Sequence, residues 1–101
     1  MPNRFHSFRD FYPFYLGEHA DPTCRRLHFV GSWVVIAFVV AAAVAWNAWF
    51  LLGALVSGYA FAWVGHFFFE HNRPATFRHP IYSFAGDWVM FRDMLTGRIP
   101  I

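Results

Sequence analysis

The sequence predicts an all-α integral membrane protein: a hairpin of two transmembrane helices with amphipathic or interfacial helices on either side. Three observations carry this. Hydrophobic residues make up 57% of the 101 residues and charged residues 14%, against roughly 45–50% and ~25% in a soluble domain. The stretch from Phe29 to Phe69 contains no Asp, Glu, Lys or Arg. All eight basic residues, every one of them Arg, lie outside that stretch. A chain this short cannot hide so much apolar surface in its own interior, because surface-to-volume scaling is unfavourable. Lipid or a partner must cover the remainder.

The N-terminal segment, residues 1–28, carries Phe5, Phe8, Phe11, Tyr12 and Tyr15 at three- and four-residue steps, with Arg4, Arg9 and Asp10 between them. That spacing predicts a short amphipathic helix on a membrane interface, with its continuity challenged at Pro13. No continuous apolar core of a secretory signal occurs in these 28 residues. The apolar run at 29–69 exceeds one crossing, since about 20 residues span ~30 Å of hydrocarbon. It divides at Trp46-Asn47-Ala48, with Phe29–Trp46 as one crossing and Ala48–Phe69 as the next. Asn47 is the polar turn residue, flanked by Trp46 and Trp49 as interfacial aromatics. Ala37, Ala41 and Ala45 on the first helix, and Ala54, Gly58, Ala62 and Gly65 on the second, predict small-residue packing faces.

Asn72-Arg73-Pro74 stops the second crossing. In the C-terminal segment, 72–101, Pro80 is suited to the first position of a helix running through Leu95 to Gly97. With four arginines before the hairpin and four after it, the positive-inside rule places both termini in the cytoplasm. The chain is thus expected to form a single membrane-embedded domain. Its net charge of +2 is too small to argue for nucleic acid, and a lone Cys24 excludes an internal disulfide. Neither a phosphate-binding Gly loop nor a nucleophile–base triad is visible.

The histidines hold the chemistry. His66 stands near the end of the second crossing with Glu70 one turn on, and an ionisable group at membrane depth is a functional candidate by default. His28 begins the first crossing, so the hairpin returns His66 to its membrane face. His19, in Glu18-His19-Ala20-Asp21-Pro22, and His79, before Pro80, belong to that same face. Four imidazoles converging there suggest a metal site, although Fe, Zn, Cu and Ni all suit such ligands. Glu70 is expected to orient a histidine. His6 and His71 read as surface residues, and Cys24 as a buried, inert thiol.

Several of these residues fall in strings that resemble a known family. Phe11-Tyr12-Pro13-Phe14-Tyr15, His19-Ala20-Asp21-Pro22, Leu27-His28, the run Trp63-Val64-Gly65-His66-Phe67-Phe68-Phe69-Glu70 and Arg73-Pro74-Ala75 are similar to the small membrane 2-hydroxy fatty acid dioxygenases. The fungal member of that family works in the α-oxidation branch of phytosphingosine breakdown. The resemblance implies an iron(II)-dependent enzyme that shortens a long-chain 2-hydroxy fatty acid by one carbon, with O2 as co-substrate. It implies His19, His28 and His66 as metal ligands, with His79 joining them as in shorter, bacterial-type members, and with such an acid as substrate Arg73 is expected to pair with its carboxylate. The partners implied are the lipid bilayer and the 2-hydroxy acid, with a second copy of the chain as a further candidate. Two other classes compete on the residues alone: a bis-His haem carrier using His28 and His66, and a metal-free membrane scaffold.

Overall fold

The computed structural model describes residues 5–74 and 77–101. Arg4 and Ala75, used above, lie outside the described residues. These residues form four α-helices, α1 (Phe8–Gly17), α2 (Pro22–Ala45), α3 (Trp49–Val64) and α4 (Pro80–Leu95), with a π-helical segment (Gly65–Glu70) continuing α3. No strand occurs among the described residues.

Helix α1 starts where the Ser7 hydroxyl accepts the Asp10 N–H at 3.2 Å, an N-cap. It runs through Pro13 without ending. An interior proline costs about 3 kcal/mol in a helix, and tertiary burial offsets it here. Phe11 and Tyr15 form a closed core with Met90 and Met94 of α4, each at most 1% exposed. The aromatic face of α1 is therefore turned onto another helix, where the periodicity alone suggested a membrane surface.

Helix α2 begins earlier than the hydropathy pattern implied. Asp21 caps it, accepting the N–H groups of Thr23 and Cys24 at 2.8 and 3.2 Å, and Pro22 fills the first helical position. Hydropathy marks only where lipid begins, whereas the cap marks where the backbone turns helical. The turn falls at the predicted place: Trp46 adopts left-handed backbone (φ 52) and the Asn47 Oδ1 accepts the Trp49 N–H at 3.0 Å. Helix α2 and the stretch Trp49–Glu70 are each long and apolar enough to cross a membrane.

The face joining α2 to α3 differs from the expected alanine stripe, since Ala37 and Ala45 are exposed. The close approach instead runs through Gly31, where an added Cβ would stand 2.7 Å from the Phe61 Cβ, and through Val35 against Gly58. Glycine permits a closer backbone approach than alanine, and it decides the register. Helix α4 lies across the base of the hairpin, packing Phe91 tilted against Phe29 and edge to face against Trp33 at centroid distances of 5.2 and 5.3 Å.

Candidate metal centre

Three histidines arrive at one point from three separate elements. His19 comes from the turn after α1, His28 from the second turn of α2, and His66 from the π-helical segment. The antiparallel hairpin puts His28 and His66 at the same end. The cap at Asp21 then folds His19 back between them. All three are buried, at 1%, 8% and 2% exposure.

Their nitrogens are sorted. His19 Nδ1 faces the Tyr15 carbonyl at 2.7 Å, His28 Nδ1 the Cys24 carbonyl at 2.9 Å, and His66 Nδ1 the Asn72 Oδ1 at 2.7 Å. Each partner is an acceptor, so each Nδ1 carries the proton and each Nε2 holds a free lone pair. The His19 Nε2 lies 3.2 Å from that of His28 and 3.0 Å from that of His66. Bare lone pairs at such separations repel, and a cation between them removes the repulsion. These spacings are those of neighbouring ligands on one first-row metal ion with bonds of about 2.1 Å. The donor set therefore fits a metal, with second-sphere acceptors already fixing all three rings. Burial, reinforced by the two neighbouring histidines, holds His19 well below its ordinary pKa and so neutral.

The supports are local. Tyr15 stacks its ring on His19 with centroids 4.1 Å apart while its carbonyl takes the His19 proton. Asn72 donates through Nδ2 to the Glu18 carbonyl at 3.1 Å, tying the His66 side to the His19 turn. The π-helical segment delivers Asn72: the His66 carbonyl accepts the N–H groups of both His71 and Asn72, and His71 ends the segment in left-handed backbone (φ 59). The Cys24 Sγ packs 3.8 Å from His28 Nδ1, in the space that a Cβ on Gly65 would invade.

The other candidates are placed differently. The Glu70 carboxylate accepts the backbone N–H of Asp21 and thereby clamps the α1–α2 turn; the acceptor for His66 is Asn72. Arg73 is exposed and does not line the cavity beside the triad, although Pro74 does. His79 does not join the three: its ring packs against Phe5, Phe11 and Phe14 at 5.2–6.0 Å. His6 and His71 are exposed. His28 and His66 meet edge to face at 5.0 Å with His19 against both, which leaves no space for a haem between them.

Beside the imidazoles opens a cavity of about 310 Å³. It runs from Tyr15 and the triad down the hairpin past Gly31, Val35, Gly58, Ala54 and Leu55 to Leu51, and α4 walls it with Ser83, Phe84, Asp87 and Trp88. Asp87 receives the Tyr15 hydroxyl, and burial lifts its carboxyl to about 6 although that hydrogen bond opposes the rise. Burial, with Asp87 adding to it, likewise pushes the Tyr15 phenol well above its ordinary value.

Sequence reasoning reached the three imidazoles but missed Tyr15, Asn72, Ser83 and Asp87. Two of the three Nδ1 acceptors are backbone carbonyls, which leave no mark in a sequence. Asn72 read only as a helix stop.

No curated protein and no solved structure matches the chain. The family described as "Mpo1-like: 2-hydroxy-palmitic acid dioxygenase Mpo1-like" matches residues 5–99, and the chain belongs to it.

Proposed function

We propose that this member of the Mpo1-like family is an iron(II)-dependent dioxygenase that converts a long-chain 2-hydroxy fatty acid to the acid one carbon shorter. The observation that carries the reading is the set of three buried imidazoles, each anchored through Nδ1, with Nε2 atoms meeting beside an apolar cavity. His19, His28 and His66 would hold the ion. Iron(II) bound there supplies the one-electron chemistry by which O2 reacts with a closed-shell acid, and three protein ligands leave positions for both.

The overall change balances without an external reductant. One 2-hydroxy acid and one O2 give the shorter acid, CO2 and water, the four electrons lost by the two terminal carbons reducing O2. The chain's own residues bind and orient. The cavity walls from Gly31 to Leu51 take the acyl tail and exclude water, which leaves the carboxyl end at the imidazoles. Tyr15 and Asn72 hold two of the rings in orientation, and Glu70 acts through the Asp21 N–H to keep the His19 turn in place. Arg73, exposed next to Pro74, attracts the carboxylate at the rim. His79 is left a packing role among the phenylalanines.

A hairpin with its site at the arginine-bearing end suits a substrate with a polar head and a long tail held in one leaflet. The same arginines put both termini and the metal site on the cytoplasmic side, in one membrane-embedded unit. Iron-loaded protein given 2-hydroxypalmitate should consume O2 and form pentadecanoate in equal amounts. Turnover of palmitate with none of the hydroxy acid would overturn the reading.

A further inference from the structure

A serine inside a helix normally returns its hydroxyl to the carbonyl four residues back or turns it to water. Ser83 does neither. It is 3% exposed, its Oγ has no hydrogen-bond partner, and the His79 carbonyl one turn back takes only the Ser83 backbone N–H, at 2.8 Å. Buried hydroxyls are nearly always paired, so an orphan facing a cavity calls for a partner there, a water or a bound ligand. Ser83 lines the cavity that holds the triad. Asp87 follows one turn later on the same wall, its Oδ1 held by the Tyr15 hydroxyl. Among the described residues no other side chain bonds this carboxylate. The wall around the pair is otherwise apolar, with Pro80, Phe84 and Trp88.

Within one helical turn the cavity thus offers an unused hydroxyl and a carboxylate with free lone pairs. The carboxylate is a pure acceptor when ionised, and it repels another carboxylate while it welcomes an O–H. The serine can donate to an oxygen beside it. A hydroxyl adjacent to a carboxylate satisfies both demands. An unhydroxylated acid leaves the second carboxylate oxygen of the half-buried Asp87 without a partner, and sites built to bond a hydroxyl reject the analogue lacking it most strongly.

We propose that Ser83 and Asp87 form the subsite that distinguishes a 2-hydroxy acid from the plain acid, Asp87 accepting the hydrogen bond of the 2-hydroxyl and Ser83 donating to a carboxylate oxygen. The inference rests on the dioxygenase reading for the identity of the ligand. Its own content is that discrimination resides in α4 as well as in the ion.

The test measures binding of 2-hydroxypalmitate and of palmitate to the full chain in detergent, by displacement of a fluorescent fatty acid. It uses iron-loaded protein without O2 and, in parallel, metal-free protein. The native chain should prefer the hydroxy acid in both forms. Asp87→Asn keeps an acceptor for Tyr15 but turns a donor to the ligand, and should cut that preference by about 10–100-fold. Ser83→Ala should cut affinity for both acids by about 3–10-fold, and Ser83→Thr should restore it. Iron content should stay at the native level in all three variants.

Native preference retained in Asp87→Asn, or native affinity in Ser83→Ala, overturns the subsite while the dioxygenase reading stands. A preference seen only with iron assigns the discrimination to the ion and likewise overturns it. Equal binding of both acids by native iron-loaded protein overturns the dioxygenase reading and the subsite together. Should Asp87→Asn fail to fold, the preference of the native metal-free chain decides: its presence supports the subsite and its absence overturns it.

Discussion

The base and the tip of the hairpin are built from the same apolar residue types, yet they solve different problems. At the base, α1 and α4 close over the start of α2 and bury Phe11, Tyr15, Met90 and Met94 together with three histidines. Cross-element hydrogen bonds accumulate there: Tyr12 to Asp93 at 2.7 Å, Tyr15 to Asp87, and Asn72 to Glu18. Toward the tip, Val40, Val44, Trp46, Trp49, Leu52 and Val56 stay exposed, and Ala54 alone is buried among residues 36–64. The base behaves as a small globular core. The tip has an apolar surface long enough to cross a bilayer, with Trp46 and Trp49 suited to the far interface. Apolar composition therefore says little about where precision lies. Precision follows the polar atoms, because each buried one needs a partner.

The comparison predicts that substitutions at the base change chemistry and those at the tip do not. The largest effect belongs to the imidazoles. His19→Ala, His28→Ala and His66→Ala should each lose bound iron and turnover by more than about 100-fold while remaining in the membrane. Leu52→Val at the tip should match the native protein in both. Metal analysis at equal expression decides, and full occupancy in His66→Ala would end the assignment. His79→Ala, by contrast, should keep most of its iron.

Next come the residues that hold the rings. Asn72→Ala removes the acceptor for His66 Nδ1 and should cost about 10–100-fold in metal affinity or activity. Glu70→Gln weakens only the clamp on the Asp21 N–H and should lower activity more than iron content. If Asn72→Ala binds iron as the native chain does, the His66 Nδ1 contact is incidental to the site.

A third substitution probes packing. A Cβ on Gly86 would stand 2.9 Å from the Tyr15 ring, which is buried and hydrogen-bonded and cannot swing away. Gly86→Ala should destabilise the base by about 1–3 kcal/mol and disturb His19 through the stacked tyrosine. Val56→Leu on the exposed face of the hairpin should stay within about 0.5 kcal/mol. Unfolding in mild detergent separates the two. Within the cavity, Ala54→Leu narrows the tail channel and should slow 16-carbon 2-hydroxy acids more than shorter ones. An equal loss at every chain length would place the tail elsewhere.

The smallest effect concerns pH. Asp87 has its carboxyl raised from 3.8 to about 6 by burial. A raised carboxyl pKa means the folded state holds the proton more tightly than the unfolded chain. Its contribution is therefore complete below 3.8 and lost as pH rises through about 6. Metal-free Asp87→Asn should accordingly gain on the native protein above pH ~6 and lose that gain toward pH ~4. Melting curves across this range provide the check.

The sequence by itself determined the two helices long and apolar enough to cross a membrane, the turn at Asn47, the helix opened by Pro80, and the presence of His28 and His66 at one end. Length, hydropathy and the absence of charge between residues 29 and 69 leave few other arrangements in a bilayer. It also supplied His19, through a string resembling the family. Tertiary structure decided the rest. It turned α1 onto α4, because Met90 and Met94 give its aromatic face a protein surface to bury. It replaced the alanine stripe with Gly31 against Phe61, since the absence of a Cβ allows the closer approach. It made Asn72 a partner of His66 through a π-helical turn that periodicity at 3.6 residues does not anticipate, and it withdrew His79 into an aromatic cluster. The physical reason is common to all four. Hydrophobic patterning is read along one element, whereas what a side chain packs against or pairs with depends on which other element arrives beside it.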